Sequence, residues 1–134
     1  MKILGFDPGC DKCGIAVMDY PDVLLYHAVV ETAGVENTIH QLLNTYEPDQ
    51  IVLGDQTYSQ QWRERLQQQC PAQLPIALVD ERNSTLEARD RYWQMYPPQR
   101  LMRLVPPGLR VPPRPVDDIV AILLIERYCA SCQI

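Results

Sequence analysis

Three short apolar runs crowd into the first 32 residues, and this crowding constrains the fold more than any other feature of the sequence. The runs are KILGF, GIAVMD and VLLYHAVVET, separated by a Pro8-Gly9 turn with a compact loop and by the turn Tyr20-Pro21-Asp22. Runs of this length are typical of β-strands. Connections this short allow only antiparallel neighbours, since a parallel connection needs about a dozen residues. The chain is therefore predicted to begin with a three-stranded antiparallel meander.

Helical and strand patterns alternate after the meander. They predict a helix at 35–46, a buried strand at 50–54, a helix at 57–70, another buried strand at 75–80 and a helix that begins at a Ser84–Glu87 capping-box pattern. The last run, residues 117–129, is apolar at every position from 119 to 125, so it predicts a helix packed on several sides. Because alternating elements imply right-handed crossovers, we predict an α/β fold with a five-stranded mixed sheet in the order 3-2-1-4-5. Strand 2 is antiparallel to the rest.

Size and composition place the chain among ordinary globular proteins. It has 134 residues, 46% of them hydrophobic and 22% charged, which predicts a single domain over residues 1–134. No apolar run approaches the roughly 18 residues that would span a bilayer, and no signal peptide is visible. We therefore expect a cytoplasmic protein without a membrane partner.

Residues 97–115 differ in composition from the rest of the chain. They hold seven of the twelve prolines and four arginines (Arg100, Arg103, Arg110 and Arg114) without an acid. The segment thus contributes +4 to a net charge of −5, and the remaining residues carry −9. A basic strip on an acidic body is compatible with a phosphate-backbone partner, and a solvated loop is the alternative. Loops of this length are usually functional or mobile.

Two Cys-x-x-Cys pairs, Cys10/Cys13 and Cys129/Cys132, mimic the spacing of a zinc site. The predicted topology puts one pair beside the first turn and the other about 18 Å down the last helix. A shared zinc is therefore disfavoured, and small, partly buried thiols are the simpler interpretation.

Carboxylates follow three of the predicted strands at the edge where ligands of open α/β sheets bind. Asp7 ends strand 1, Asp55 follows strand 4, Asp80-Glu81 follow strand 5, and Asp117-Asp118 begin the last helix. So many like charges are costly to gather without cations, which predicts a metal site. Each acid keeps an alternative: Asp7 as a turn residue, Asp55 as the cap of the following helix, and one of the last pair as the cap of the final helix. Asp80 has the alternative of a turn residue, and Glu81 that of an ion-pair partner of Arg82. His27 and His40 are expected to be surface or hydrogen-bonded core residues.

Three motifs, in order along the chain, resemble a known family. ILGFDPGCDKCGIAVMD resembles the first hairpin of the RuvC Holliday-junction resolvases and their YqgF/RuvX relatives, in the ribonuclease H-like superfamily. VDERNSTLEA, at 79–88, and VDDIVAILLIERY resemble the YqgF pattern and its terminal helix. One departure is LGDQT after the fourth strand, where YqgF proteins usually continue Gly-x-Pro. Asp55 there is closer to the RuvC arrangement.

The resemblance implies a ribonuclease H-like fold and metal-assisted phosphodiester hydrolysis. It implies a catalytic triad of Asp7, Glu81 and Asp117, with two Mg²⁺ ions, or Mn²⁺, held by these residues and Asp55 as a further candidate. Phosphate contacts are expected from Lys12, Arg82, Arg110 and Arg114. The YqgF relatives suggest structured RNA such as a ribosomal RNA precursor, and RuvC suggests branched DNA. The resemblance does not decide between a monomer and a homodimer.

Two other functional classes fit parts of the sequence. One is a nucleic-acid-binding module of this fold without useful cleavage, which the intact acids disfavour. The other is an actin-like ATPase, suggested by Asp7-Pro8-Gly9, but such enzymes need two domains of this kind.

Overall fold

The computed structural model describes residues 1–56 and 58–132 of the chain. Within them, strands and helices follow in the predicted order. The strands are β1 (Lys2–Asp7), β2 (Lys12–Asp19), β3 (Val23–Glu31), β4 (Gln50–Gly54) and β5 (Ile76–Val79). The helices are α1 (Val35–Tyr46), α2 (Ser59–Gln69), α3 (Ser84–Met95) and α4 (Asp117–Ser131), with 3-10 turns at Thr32–Gly34, Arg100–Leu104 and Pro107–Leu109.

The strands form one sheet in the order β3-β2-β1-β4-β5, which confirms the predicted topology. β2 runs antiparallel to both β1 and β3, whereas β4 is parallel to β1 and β5 is parallel to β4. The C-terminal ends of β1, β4 and β5 therefore lie at the same edge. Asp7 is the last residue of β1, so this edge begins with a carboxylate.

Alternate residues of the central strands point into two separate cores. On β1, Ile3 packs with α3 and α4 on one face of the sheet, while Leu4 and Phe6 pack with α1 and α2 on the other. All three side chains are fully buried. This alternation is the two-residue period of a strand that is covered on both faces. It explains why the strands in the sequence are continuously apolar.

Helix α4 lies at the centre of the larger core. Every residue from Ile119 to Ile125 is buried, as the apolar run predicted, and the helix packs across β1 and β2. Each large side chain buried in this way contributes about 1.5–3 kcal/mol to folding. In the described part of the chain, no helix combines the length and apolarity needed to cross a membrane.

Three local predictions are wrong. Strand β5 is not fully buried, because it forms an edge of the sheet and leaves Leu78 40% exposed. The predicted capping box is absent, since α3 follows Asn83 (φ 59°) without a side-chain cap and Glu87 pairs with Arg127 at 3.1 Å. No side-chain cap precedes α4 either, because its N-cap residue is Val116.

The two cysteine pairs lie at opposite ends of the sheet. Cys13 is at the start of β2, where its Sγ lies 3.3 Å from Thr32 Oγ1. Cys129 is buried near the other end of β1, where the charge of the N-terminal amino group opposes the rise in the pKa of its thiol that burial causes. The predicted separation of the pairs therefore agrees with the structure. All five cysteines are free thiols.

Candidate active site

Asp7 lies at the rim of a pocket at the carboxyl edge of the parallel strands. The pocket has a volume of about 300 Å³. Its walls come from the turn after β1, the residue after Asp55 and the turn leading into α3. The lining residues are Asp7, Pro8, Gln56, Glu81, Asn83, Ser84, Thr85 and Leu86. Because α3 begins at Ser84, the positive end of its helix dipole faces the pocket, which favours a negatively charged ligand there.

Glu81 reaches Asp7 by lying across the end of β4. Its Oε1 accepts a hydrogen bond of 3.1 Å from the backbone amide of Gln56. A Cβ atom on Gly54 would stand only 2.4 Å from Glu81 Oε2, so this path across β4 exists because residue 54 has no side chain. Three elements thus hold the carboxylate in place: β4, its following turn and the turn after β5.

Asp55 faces the backbone of the turn after β5. Its Oδ1 accepts a hydrogen bond of 3.4 Å from the backbone amide of Glu81, and its own amide donates to the carbonyl of Val79 at 3.0 Å. The alternative role as cap of α2 is excluded, because the N-cap of that helix is Tyr58 and has no side-chain cap bond. The structure therefore gives Asp55 a supporting position next to Glu81, without bringing it into the pocket wall.

Asp117 enters the same edge from the first turn of α4. Asp7 is opposite Gly14 in the β1–β2 ladder, and the backbone carbonyl of Asp117 rests on Gly14. Burial and the negative charge of Asp118 raise the pKa of Asp117, and the positive charge of Lys12 opposes that rise. Asp117 and Lys12 are therefore close enough to interact electrostatically beside Asp7.

The electrostatics of Asp7 show how tightly the acids are gathered. Its burial, a hydrogen bond with Glu81 and the negative charges of Glu81 and Asp117 raise the pKa of Asp7 to about 8. The same three acids that the family resemblance indicated thus influence one another. Three carboxylates that repel each other in a partly buried place favour either a proton or a cation.

The chemistry of these donors fits a hard divalent cation. Within residues 1–56 and 58–132, no three side chains of His, Cys, Asp or Glu are close enough together to enclose a metal ion. Mg²⁺ does not require such a cage, because one or two carboxylates usually hold it with water and substrate phosphates. Asp7 and Glu81 offer only oxygen ligands beside an open pocket, which suits Mg²⁺ or Mn²⁺.

The Asp118 side chain points away from Asp7, into a buried ion-pair network that was not predicted from the sequence. It is 2% exposed, and its Oδ2 lies 2.6 Å from His27 Nδ1 on β3. Arg114 donates to both carboxylate oxygens, at 3.0 and 3.3 Å, and its guanidinium lies over the ring of Tyr92. Burial tends to raise the pKa of Asp118, but the hydrogen bonds and charges of Arg114 and His27 outweigh it and hold that pKa below its usual range.

The four predicted phosphate contacts have different surroundings. Lys12 and Arg82 are exposed at the carboxyl edge, and the Arg82 side chain is 81% exposed. Arg110 donates to the carbonyl oxygens of Val105 and Arg103, at 2.9 and 3.4 Å, and Arg114 is held by Asp118. The structure therefore brings Lys12 near Asp117, and it leaves the Arg82 side chain beside Asp80, outside the pocket at Asp7. Arg110 and Arg114 help to fold the segment that carries them.

Comparison of the sequence with protein families finds one match. Residues 1–102 match the family described as RuvX, Holliday junction resolvase. Among curated proteins there is no significant match to the sequence. The matched range contains Asp7, Asp55 and Glu81, and it ends before Asp117.

Solved structures of two resolvases resemble the whole fold. RuvC from T. thermophilus, in complex with a Holliday junction substrate, has a TM-score of 0.61 at 17% identity, covering 98% of this chain and 96% of that one. The fowlpox virus Holliday junction resolvase has a TM-score of 0.66 at 17% identity, covering 98% and 99%. At these identities the likeness shows the fold, which is the predicted ribonuclease H-like sheet and its helices.

Proposed function

This chain belongs to the RuvX family of Holliday junction resolvases, and we propose that it is a divalent-metal-dependent endonuclease for structured nucleic acid. Residues 1–134 would form one ribonuclease H-like nuclease domain. The observation that carries the proposal is the meeting of Asp7 and Glu81 in one open pocket, where burial and the neighbouring carboxylates of Glu81 and Asp117 raise the pKa of Asp7 to about 8. Folding alone gives no reason to gather acids at such a cost.

Branched DNA is the first substrate to test. The matched family is described as Holliday junction resolvases, and the T. thermophilus and fowlpox virus proteins of similar fold are likewise resolvases of Holliday junctions. A ribosomal RNA precursor is the second, supported by the resemblance of residues 79–88 to the YqgF pattern. Both substrates present a phosphodiester backbone with an irregular shape.

In this proposal, Asp7 and Glu81 would hold a divalent ion together with water and substrate phosphates, and Asp117 would be a further ligand from α4. Asp55 keeps the turn that carries Glu81 in place. Bound divalent ions would supply activation of the attacking water and neutralisation of the charge that develops on the phosphate. Lys12 and Arg82 are exposed at the same edge and would hold neighbouring phosphates. The start of α3 would favour the scissile phosphate through its dipole. His27 is bonded to Asp118 and lies outside this set.

The test compares two substrates under two metal conditions. A four-way DNA junction and a precursor-like structured RNA are incubated with the protein in Mg²⁺ or in EDTA. We expect cleavage only with Mg²⁺, and loss of at least a hundredfold in rate for Asp7→Asn, Glu81→Gln and Asp117→Asn. Binding without cleavage of either substrate would instead support a non-catalytic nucleic-acid-binding module.

A further inference from the structure

The four most exposed large apolar side chains of the described chain all lie in one segment, residues 97–116. They are Leu104 (80% exposed), Leu101 (78%), Leu109 (71%) and Val111 (65%). Burying such a side chain would contribute about 1.5–3 kcal/mol to folding, and none of the four makes that contribution. Four such side chains within one short segment favour a role of that segment in contacting a partner.

The same segment contains arginines and no acid. Arg100, Arg103, Arg110 and Arg114 alternate with the exposed apolar residues, while the rest of the chain carries a net charge of −9. Charge complementarity therefore favours a polyanion as the occupant. It disfavours a second copy of this chain, since a two-fold interface would bring two such segments together.

Internal hydrogen bonds hold the backbone of the segment. Arg103 Nε donates to the carbonyl of Pro98 at 3.2 Å, and the Arg110 guanidinium bonds to the carbonyls of Val105 and Arg103. Arg114 fastens the far end to Asp118 at the start of α4. Seven prolines restrict the chain further. The leucines are therefore presented by a preorganised backbone, which lowers the entropy cost of binding.

The position of the segment connects it to the carboxylates. It starts beyond the C-terminal end of α3, about 18 Å along that helix from the pocket, and it ends directly before Asp117. From residue 103 onwards it also lies outside the range that matches the RuvX family. The segment therefore meets the carboxylate edge at its C-terminal end, directly before Asp117.

We infer that residues 97–116 recognise unstacked bases of the nucleic acid whose scissile backbone lies at Asp7, with the leucines contacting the bases and the arginines the phosphates. This inference rests on the proposed function, since it assumes a nucleic-acid substrate. Arginines are sufficient to bind a phosphate. Apolar side chains are used in addition by proteins that insert them between bases and unstack a base step. Unstacking costs least where a duplex is interrupted. The segment therefore distinguishes a branch or an internal loop from a continuous duplex.

The test measures binding in EDTA, so that cleavage does not interfere. The probes are a four-way DNA junction and an RNA stem with an internal loop, each paired with a continuous duplex of equal length and carrying 2-aminopurine at the interruption. We expect Leu101→Ser/Leu104→Ser to weaken binding to the interrupted probes about tenfold and to abolish the rise in 2-aminopurine fluorescence. The affinity of this double variant for the continuous duplexes should be the same as that of wild type.

Two control variants separate the roles. Val23→Ser removes an exposed apolar side chain at the start of β3 and should bind every probe like wild type. Arg100→Gln should weaken binding to all probes by the same factor, and it should reduce the salt dependence of binding by the equivalent of about one phosphate contact. Circular dichroism and sedimentation establish that each variant keeps its fold and assembly state.

Each remaining outcome is decisive. If wild type prefers the interrupted probes and the double leucine variant keeps that preference, this inference is overturned while the proposed function stands. If wild type binds no probe, both fail. If the leucine variant dissociates a wild-type dimer and loses all probes equally, the segment is a dimer interface and the inference is overturned.

Discussion

Gly14 of β2 lies directly under the backbone of Asp117. A Cβ atom at position 14 would stand 1.8 Å from the Asp117 carbonyl oxygen and 2.1 Å from its carbonyl carbon, so only glycine allows this approach. Gly14 is also the cross-strand partner of Asp7. One glycine therefore sets the spacing between the carboxylate that ends β1 and the one that begins α4.

Replacing Gly14 with alanine should push α4 away from the sheet, because the atoms that clash belong to backbone. We expect Gly14→Ala to lower the free energy of unfolding by about 1–3 kcal/mol and to abolish cleavage. Urea denaturation measures the first effect. Gly34→Ala is the control, since a Cβ there meets nothing within 4 Å, and a Gly14 variant as stable as that control would contradict the prediction.

Gly54→Ala should separate function from stability. The atoms that a Cβ meets at position 54 belong to the Glu81 carboxylate, at 2.4–3.0 Å, and this flexible side-chain end can move away. We expect a melting temperature within a few degrees of wild type, with cleavage reduced at least tenfold because Glu81 no longer reaches Asp7. Unimpaired cleavage at normal Mg²⁺ affinity would show that Glu81 works from another position.

Asp7→Asn should stabilise the metal-free protein in a pH-dependent manner. The folded protein holds the pKa of Asp7 at about 8, above its ordinary value of 3.8. The folded state therefore binds this proton more tightly, and stability is lost as pH rises from about 4 through 8. Asparagine removes that loss. In EDTA, the melting temperature of the variant relative to wild type should rise from pH 5 to pH 8 and level off above. A constant difference would contradict this.

Asp118→Asn should reduce stability more than the loss of a helix cap would, because Asp118 caps nothing and is bonded to His27 and Arg114. We expect a loss of about 2 kcal/mol at neutral pH. The folded pKa of Asp118 lies below its usual range, so this contribution is present above that range and is lost as pH falls below it. Denaturation of wild type and variant should show a smaller difference in the free energy of unfolding at pH 3 than at pH 7. Asp117→Asn, the neighbouring control, should show no such loss of unfolding free energy at pH 7.

Mg²⁺ should stabilise the wild-type protein by binding the folded state alone. At a hundred times the dissociation constant the gain is about 2.7 kcal/mol. Because the ligand at Asp7 must be deprotonated, the affinity should rise with pH up to about 8. Calorimetric titration and thermal melts measure both effects. Asp7→Asn should show neither, and a melting temperature of wild type that ignores millimolar Mg²⁺ would exclude a preformed site.

The sheet and the placing of acids at its edge follow from local sequence patterns. Strand order follows from local patterns, since short connections force a meander and helical crossovers force parallel pairing. Once β1, β4 and β5 are parallel, Asp7 and Glu81 must share an edge, because each follows the end of its strand. This information is local, and a periodicity of two or of 3.6 residues reveals it.

The direction that each acid faces depends on tertiary packing. Asp117 and Asp118 are adjacent, but a helix turns by about 100° per residue, so one acts on Asp7 while the other meets His27. His27 and Asp118 are 91 residues apart, and nothing local in the sequence marks them as partners. The missing caps and the close approaches at Gly14 and Gly54 have the same origin. They depend on where two packed elements place their atoms, which no single stretch of sequence encodes.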